Sequence, residues 1–441
     1  MPDAPTRSFA RSTALKAVAH QLIPGGAHTY AKGDDQYPEL APGFIDRGLG
    51  CRVWDVDGNE YIEYGMGLRS VILGHAYPSV VAAAHREMLR GMNFTRPSPL
   101  EVEGAQALLD LVDGAEMVKF AKNGSDVTTA AVKLARAYTH RDRVAICAEH
   151  PFFSTDDWFI GTTAMAAGIP RAIRELTVKF HFNDLASLAA LFTKHPNEIA
   201  CVVMEAATSI EPEPGFLEAV QAECRTRGAV LILDEMITGF RFHLGGAQKL
   251  YGLTPDLSTF GKALGNGFPI AALAGKRELM ELGGLRHDRD RVFLLSTTHG
   301  AETSSLAAAL QTMRVYRDEG VIEALAQQGE RLRAGIQQAA RTLGVERHFA
   351  VIGHPANLVY ATRDPEGRPS QAYRALFLQE LVRRGVLAPS FVVSYSHLDR
   401  DIDETVEAVA GALAVYRRAL DDGVERYLVG RPVKPVLRGL N

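Results

Sequence analysis

Between Met117 and Thr297 the chain returns repeatedly to short, β-rich, mainly apolar runs: MVKFA (117–121), RVAIC (143–147), ACVVM (200–204), AVLIL (229–233), LSTF (257–260), IAALAG (270–275) and VFLLS (292–296). A strand with one wet face alternates apolar and polar residues. Unbroken apolarity marks strands covered on both faces, the signature of a parallel sheet. Helical patterns separate several of the runs. DVTTAAVKLARAYTHR (126–141) places Ala130, Leu134 and Tyr138 at four-residue steps, with Ser125 as the expected N-cap. GFLEAVQAECRTRG (215–228) repeats the pattern and stops at Gly228, an expected C-terminal cap. The segment reads as an α/β domain with a mostly parallel central sheet between helices.

The flanks differ. Within 39–64, CRVWDVDGNEYIEY alternates on both sides of an Asp-Gly turn, which predicts a β-hairpin outside the main sheet. Past about residue 325 come a long helical stretch, strand-like segments near 347–360 and 386–394, and a helix over DETVEAVAGALAVYRRAL, together a smaller α+β domain. The expected division is an N-terminal segment (1–75), a large domain (76–325) and a small domain (326–441), within reach of a 441-residue chain. A net charge of −4 leaves no basic footprint, so neither nucleic acid nor an anionic membrane is an expected partner. The fourteen histidines show no ligand spacing, and no metal site is expected. Cys51, Cys147, Cys201 and Cys224 form no CxxC pair, no export signature opens the chain, and no apolar run approaches a membrane span. A cytoplasmic location is expected.

The chemistry gathers at the ends of the predicted strands. AVLIL ends at Asp234, on the edge of an open α/β sheet where ligands bind. A carboxylate there either forms a salt bridge or helix cap, or holds a protonated ring nitrogen. Lys262 stands just past the next run, LSTF, so two adjacent strand ends present an acid and an amine. Pyridoxal phosphate needs that pair, because its aldehyde condenses with a lysine and its ring nitrogen needs an acid. Gly261, Gly265 and Gly267 let the backbone pass close to a bulky ring. GKALGNGFP lacks the glycine spacing of a P-loop, and no dinucleotide fingerprint follows an early strand. In KNGSDVTTAAVKL, Gly124 and Ser125 open a helix, as a cap or as a phosphate site. STTHGAETSS (296–305) offers Thr297, Thr298 and Ser304 as hydroxyl donors or forms a polar turn. HPFFSTDDWF (150–159) offers Phe152, Phe153 and Trp158 to the core or to a cofactor ring.

Together these residues resemble the class III pyridoxal-phosphate aminotransferases of fold type I, above all the branch containing glutamate-1-semialdehyde 2,1-aminomutase. The resemblance is carried by PGGAHTYAKG (24–33), DVDGNEYIEY, ILGHAYP, KNGSD, ILDEMITGFR, FGKALGNGFPIAALAGK, STTHGAET, APSFVVSYSH and DIDET, spread over nearly the whole chain. It implies a pyridoxal 5'-phosphate enzyme in which the N-terminal segment packs with the small domain. Lys262 is then the Schiff-base lysine and proton carrier, and Asp234 the partner of the ring nitrogen. Met236 and Phe152, where the family usually has Val and Tyr, cover the two ring faces. Gly124 and Ser125 bind the phosphate, and Glu205 lies near the cofactor. Thr298 matches a threonine donated from a second subunit, which implies a homodimer with shared active sites. The partners implied are a small amino donor and a carbonyl acceptor, with an intramolecular aminomutase or racemase as the alternative. The sequence departs from the aminomutase pattern at Gly67-Leu68-Arg69-Ser70, where that branch has Ser-Trp-Gly-Pro, and at Lys32, where it has a carboxylate-binding arginine. The segment after APS is also about four residues shorter. Lys32, Arg69 and His28 are therefore the candidates for substrate contact.

Overall fold

The Asp57-Gly58 turn folds the chain back on itself. Gly58 sits at φ 88°, a left-handed geometry that glycine enters without a Cβ clash. Across it β2 (Arg52–Asp55) and β3 (Glu60–Glu63) pair antiparallel, and a further strand, β1 (Ile45–Leu49), adds to the other edge of β2. The buried Asp55 carboxylate locks the turn, accepting the N–H groups of Asp57 (3.0 Å) and Asn59 (2.8 Å) and the Tyr61 hydroxyl (3.0 Å).

The computed structural model describes residues 7–150 and 152–439. They form two compact units. One holds the chain up to Leu68, Ile72–Tyr77 and Glu323–Val436; the other holds Arg69–Val71, Pro78–Ile322 and the chain from Leu437.

The larger unit is built on seven strands: β4 (Met117–Ala121), β5 (Arg143–Cys147), β6 (Thr177–Phe180), β7 (Ile199–Met204), β8 (Val230–Asp234), β9 (Leu257–Phe260) and β10 (Ala271–Gly275). Their spatial order is β4-β10-β9-β8-β7-β5-β6, and only β10 runs antiparallel to its neighbours. The unbroken apolar runs follow from two dry faces. Val144, Val203 and Ile232 enter one apolar layer with Val127, Ala131 and Leu134 of the helix Gly124–Thr139. Their neighbours Ala145, Val202 and Leu231 enter the other, with Leu188 and Phe192 of Leu185–Lys194 and Leu217 and Val220 of Phe216–Arg227. Each such buried Val, Leu, Ile or Phe side chain contributes about 1.5–3 kcal/mol.

Two sequence expectations fail here for physical reasons. VFLLS (292–296) is no strand. Val292 and Leu294 anchor an irregular segment in the core while Phe293 is 70% exposed, and Leu295 at φ 46° breaks the extended backbone. Conversely β6, with the sequence TVKF, is a sheet edge where Lys179 faces solvent, so it lacks the unbroken apolarity that marks the inner strands.

In the other unit β11 (Phe349–Ile352) and β12 (Val359–Thr362) form an antiparallel pair. The expected strand near 386–394 shrinks to β13 (Val386–Leu387), which joins β3 in parallel; Pro389 then removes a ladder donor. An aromatic core includes Phe349 against Phe377 (4.6 Å between centroids) and Tyr360 against Phe391 (5.5 Å), and the helix Asp399–Asp422 lays Tyr416 against Tyr373 (4.9 Å).

Directly after β8, Glu235 is buried for a structural purpose. Its carboxylate accepts the N–H groups of Ala247 (2.9 Å) and Gln248 (2.7 Å) and the Thr238 hydroxyl, fixing the short helix Gly246–Leu250. Glu235→Ala strands these donors and is expected to lower the stability of the protein by about 2–3 kcal/mol. Denaturant unfolding of the variant beside the parent measures this, and a loss below about 1 kcal/mol would show the carboxylate to be dispensable.

Candidate active site

Parallel pairing aligns the carboxyl ends of β7, β8 and β9 at one edge of the sheet. Met204 pairs with Leu233, and Asp234 pairs with Thr259. Glu205 follows β7, Asp234 ends β8, and Lys262 stands two residues beyond β9. The sequence thus brings an acid and an amine to neighbouring strand ends, as expected, with a second acid one strand away.

Asp234 is 1% exposed, and its orientation is fixed. Oδ1 accepts the Met236 N–H (2.8 Å) and the Thr259 hydroxyl (3.3 Å), so both hydrogen bonds to the carboxylate fall on one oxygen. Burial raises its pKa, and the nearby Lys262 charge opposes the rise. Glu205 is also buried. Burial and then the negative charge of Asp234 push its carboxyl well above the usual range. Lys262 is half-buried and sits at φ 43°, a strained left-handed geometry of the kind that collects at reactive sites. Desolvation lowers its pKa, against the attraction of Asp234 and Glu205 and with the help of the Arg69 and Arg241 charges. All three groups are shifted toward their neutral forms.

Glycines bring the remaining elements close. A Cβ on Gly124 would lie 2.9 Å from Met236 Sδ, and one on Gly261 would lie 2.6 Å from it. Met236 therefore fills the space between the lysine turn and the start of the helix Gly124–Thr139. Ser125 is not the cap of that helix. Asn123 precedes the first turn, with its N–H bonded to the Asp126 carboxylate at 3.0 Å, and Ser125 lies inside the turn, its Oγ accepting the Thr155 N–H at 3.0 Å. This contact is one of several that tie the aromatic loop to the helix. The Thr128 hydroxyl donates to the Phe153 carbonyl (2.7 Å), Thr129 meets Ser154 (3.0 Å), and Trp158 Nε1 donates to Thr129 (2.8 Å). Phe153 and Trp158 are core residues; Phe152 is 45% exposed, its ring edge-on to Phe159 at 5.5 Å.

These groups fit pyridoxal phosphate: an accessible amine, an acid with one oxygen uncommitted, glycine-opened backbone on either side of Met236, and a helix start for a phosphate. Arg69 belongs to the same unit, and its charge acts on Glu205 and Lys262. Thr298 is exposed. Lys32 and His28 are exposed residues of the other unit. The sequence reading passed over two buried side chains. Arg241, the last residue of DEMITGFR, is 1% exposed, and His150 accepts the Glu205 N–H at 3.0 Å through Nδ1. Both stood inside quoted motifs, but their burial depends on tertiary packing that no local pattern records.

The burial of Asp234 has a measurable consequence. A carboxyl whose folded pKa is raised destabilises the fold when ionised; the penalty is absent below the unfolded pKa, near 4, and complete above the raised folded value. Asparagine keeps Oδ1 as an acceptor and removes the charge. Cofactor-free Asp234→Asn is therefore expected to melt higher than the parent at about pH 8, with the gap closing toward about pH 4. Thermal scans at both values check this, and a variant that melts lower at the higher pH would mean that attraction to Lys262 outweighs burial.

The comparisons with known proteins agree with this geometry. The family model for class III aminotransferases matches residues 33–349. The 3-aminobutyryl-CoA aminotransferase of Cloacimonas acidaminovorans (strain Evry) is 33% identical over 422 residues, covering 93% of this chain and 99% of that protein. The glutamate-1-semialdehyde 2,1-aminomutase of Roseiflexus castenholzii (strain DSM 13941 / HLO8) is 35% identical over 436 residues, covering 94% and 99%. Among solved structures, the PLP internal aldimine form of the FumI protein from Sphingopyxis sp. MTA144 superposes with a TM-score of 0.86 at 28% identity, covering 96% of this chain and 99% of that one. The chain belongs to the class III aminotransferases, enzymes of fold type I that use pyridoxal phosphate.

Proposed function

We propose that the enzyme is a ping-pong aminotransferase that passes an amino group from a small amino donor to a ketone or aldehyde, on a sugar or another biosynthetic intermediate. The observation that carries this reading is the half-buried Lys262 amine, shifted toward its free base beside Asp234. Bound pyridoxal phosphate supplies an aldehyde for the amino group and a ring that holds the electron pair left when a carbon–hydrogen bond breaks. Lys262 Nζ anchors the cofactor and, once released, takes the proton from the donor carbon. Asp234 holds a proton at the ring nitrogen through the oxygen that Met236 and Thr259 leave uncommitted. Glu205, its pKa pushed up to about 8, stays protonated near neutrality and offers an O–H rather than a second negative charge.

Gly124 and Ser125 receive the phosphate, and Met236 and Phe152 bracket the ring. Phe152, where the family usually has tyrosine, covers a face without offering a hydroxyl. Thr298 acts in the site of a second copy. In support, 296–299 is exposed, Asn93 lies 3.4 Å from His299, and Met88, Leu89, Met92 and Phe94 form an exposed apolar stretch around Asn93 that a homodimer would cover. Lys32, His28 and Arg69 contact substrate. Four buried, unpaired cysteines support a cytoplasmic setting.

Relatives named as aminomutases keep a second reading in view, in which the amino group returns to the skeleton it left. The two are separated by incubating the holoenzyme with single amino compounds, with and without a 2-oxo acid. A transaminase converts the bound cofactor to its pyridoxamine form with the donor alone, and the acceptor restores the original visible band. Steady turnover of a single compound to its isomer with no oxo product would instead establish the aminomutase.

A further inference from the structure

Four successive residues, Met66 (φ 41°), Gly67 (58°), Leu68 (56°) and Arg69 (73°), lie in the left-handed region. L-residues enter that region singly, because Cβ crowds the following carbonyl, so a full left-handed turn with three non-glycine members must be held by its surroundings. The holding group is Arg241. Its guanidinium is 1% exposed and donates from Nη2 to the Arg69 carbonyl at 2.6 Å and from Nε to the Ile237 carbonyl at 3.2 Å. Nη1 has no hydrogen-bond partner, and among the described residues no carboxylate forms an ion pair with Arg241. A buried cation without a counter-charge is costly, and no step assigned to Lys262 or Asp234 uses it. Its direct structural effect is to fix the end of the left-handed turn. Arg69, thus fixed, is half-buried, and its charge acts on Glu205 and Lys262.

We propose that this turn is a specificity device: Arg241 holds the Arg69 carbonyl so that the Arg69 guanidinium receives an anionic oxygen pair, carboxylate or phosphate, on the substrate that reacts at Lys262. A guanidinium suits the task because its planar fork matches two oxygens at once. The unpaired positive charge of Arg241 behind it adds to the attraction. Arg69 is a substrate-binding residue in this scheme and Arg241 a positioning residue. The proposal rests on the reading of Lys262 as the reacting amine, but recognition of the anion does not depend on which reaction follows.

The test is a titration of the holoenzyme with glutarate, which has two carboxylates and no amine, read from the visible band of the bound cofactor. Inorganic phosphate and the neutral 1-phenylethanol serve as parallel probes. Arg69→Leu is expected to weaken glutarate at least tenfold and Arg69→Lys less, with 1-phenylethanol unchanged. Tighter binding of phosphate than of glutarate, lost in the same variants, assigns the site to phosphate esters. Arg241→Gln should reproduce the glutarate loss, and the double variant should bind no more weakly than Arg69→Leu alone. Should Arg241→Gln fail to fold, the half-buried Arg69 variants decide the matter. The proposal is overturned by anion binding that Arg69→Leu leaves unchanged, by an equal loss for 1-phenylethanol, or by binding of neither glutarate nor phosphate to the parent. Failure of every amino donor to form the pyridoxamine state would refute the transaminase and leave this titration readable.

Discussion

The site depends on keeping three ionisable side chains, Glu205, Asp234 and Lys262, in a poorly solvated space at one edge of the sheet. Each would be costly there alone. Placed together, the three settle toward neutral forms: two carboxyls raised, one amine lowered. The positive charges of Arg69 and Arg241 act on the same lysine. A ring nitrogen and a phosphate would find there an acid with one uncommitted oxygen and a helix start. A lysine acting as a base would need a low pKa, and the same desolvation that makes the acids expensive lowers that of Lys262.

Precision comes from the sheet. Neighbouring strands stand about 4.8 Å apart, so groups ending adjacent parallel strands meet without any loop having to find its place. Asp234 is further oriented through Oδ1 alone, a restraint that leaves the other oxygen for a ligand. The aromatic loop, lacking a strand, is tied by side-chain bonds from Ser125, Thr128 and Thr129 to the helix Gly124–Thr139. One helix start thus serves two parts of the site. A change at Thr128 would reach Phe152 through the Phe153 carbonyl.

Most of the central sheet was legible because a strand with two dry faces writes an unbroken apolar run. The reading failed where that link breaks. The segment 292–296 is apolar because alternate residues anchor a loop, and β6 is polar because it is an edge. Lys262 and Asp234 could be paired from sequence because strand ends are local features. Ser125 reads as a cap only if the Gly-Ser step stands outside the helix, whereas the first turn includes it. The left-handed turn was beyond reach, since MGLR contains one glycine and nothing local demands φ > 0 at its neighbours. Arg241 reads as one more charged residue in a motif until its burial is seen.

That contrast separates chemistry from selectivity in this chain. The acids, the amine and the Gly124–Ser125 step sit at strand ends or in the first turn of a helix packed on the sheet, where displacement would disturb the core layers on both faces. The segments that depart from the aminomutase pattern, around Lys32, at 67–70 and after Ser390, are irregular. Of these, the turn at 66–69 is unusual in being irregular and strained at once, and the force that holds it comes from Arg241, only seven residues beyond Asp234. The end of β8 and the loop after it thus set two things with one short stretch: Asp234 closes the strand at the candidate site, and Arg241 fixes the geometry of a neighbouring turn. If Arg69 receives the substrate's anionic group, substitutions at 67–69 would redirect what the enzyme accepts without moving a strand, and a change at Arg241 would alter selectivity through the Arg69 carbonyl it holds.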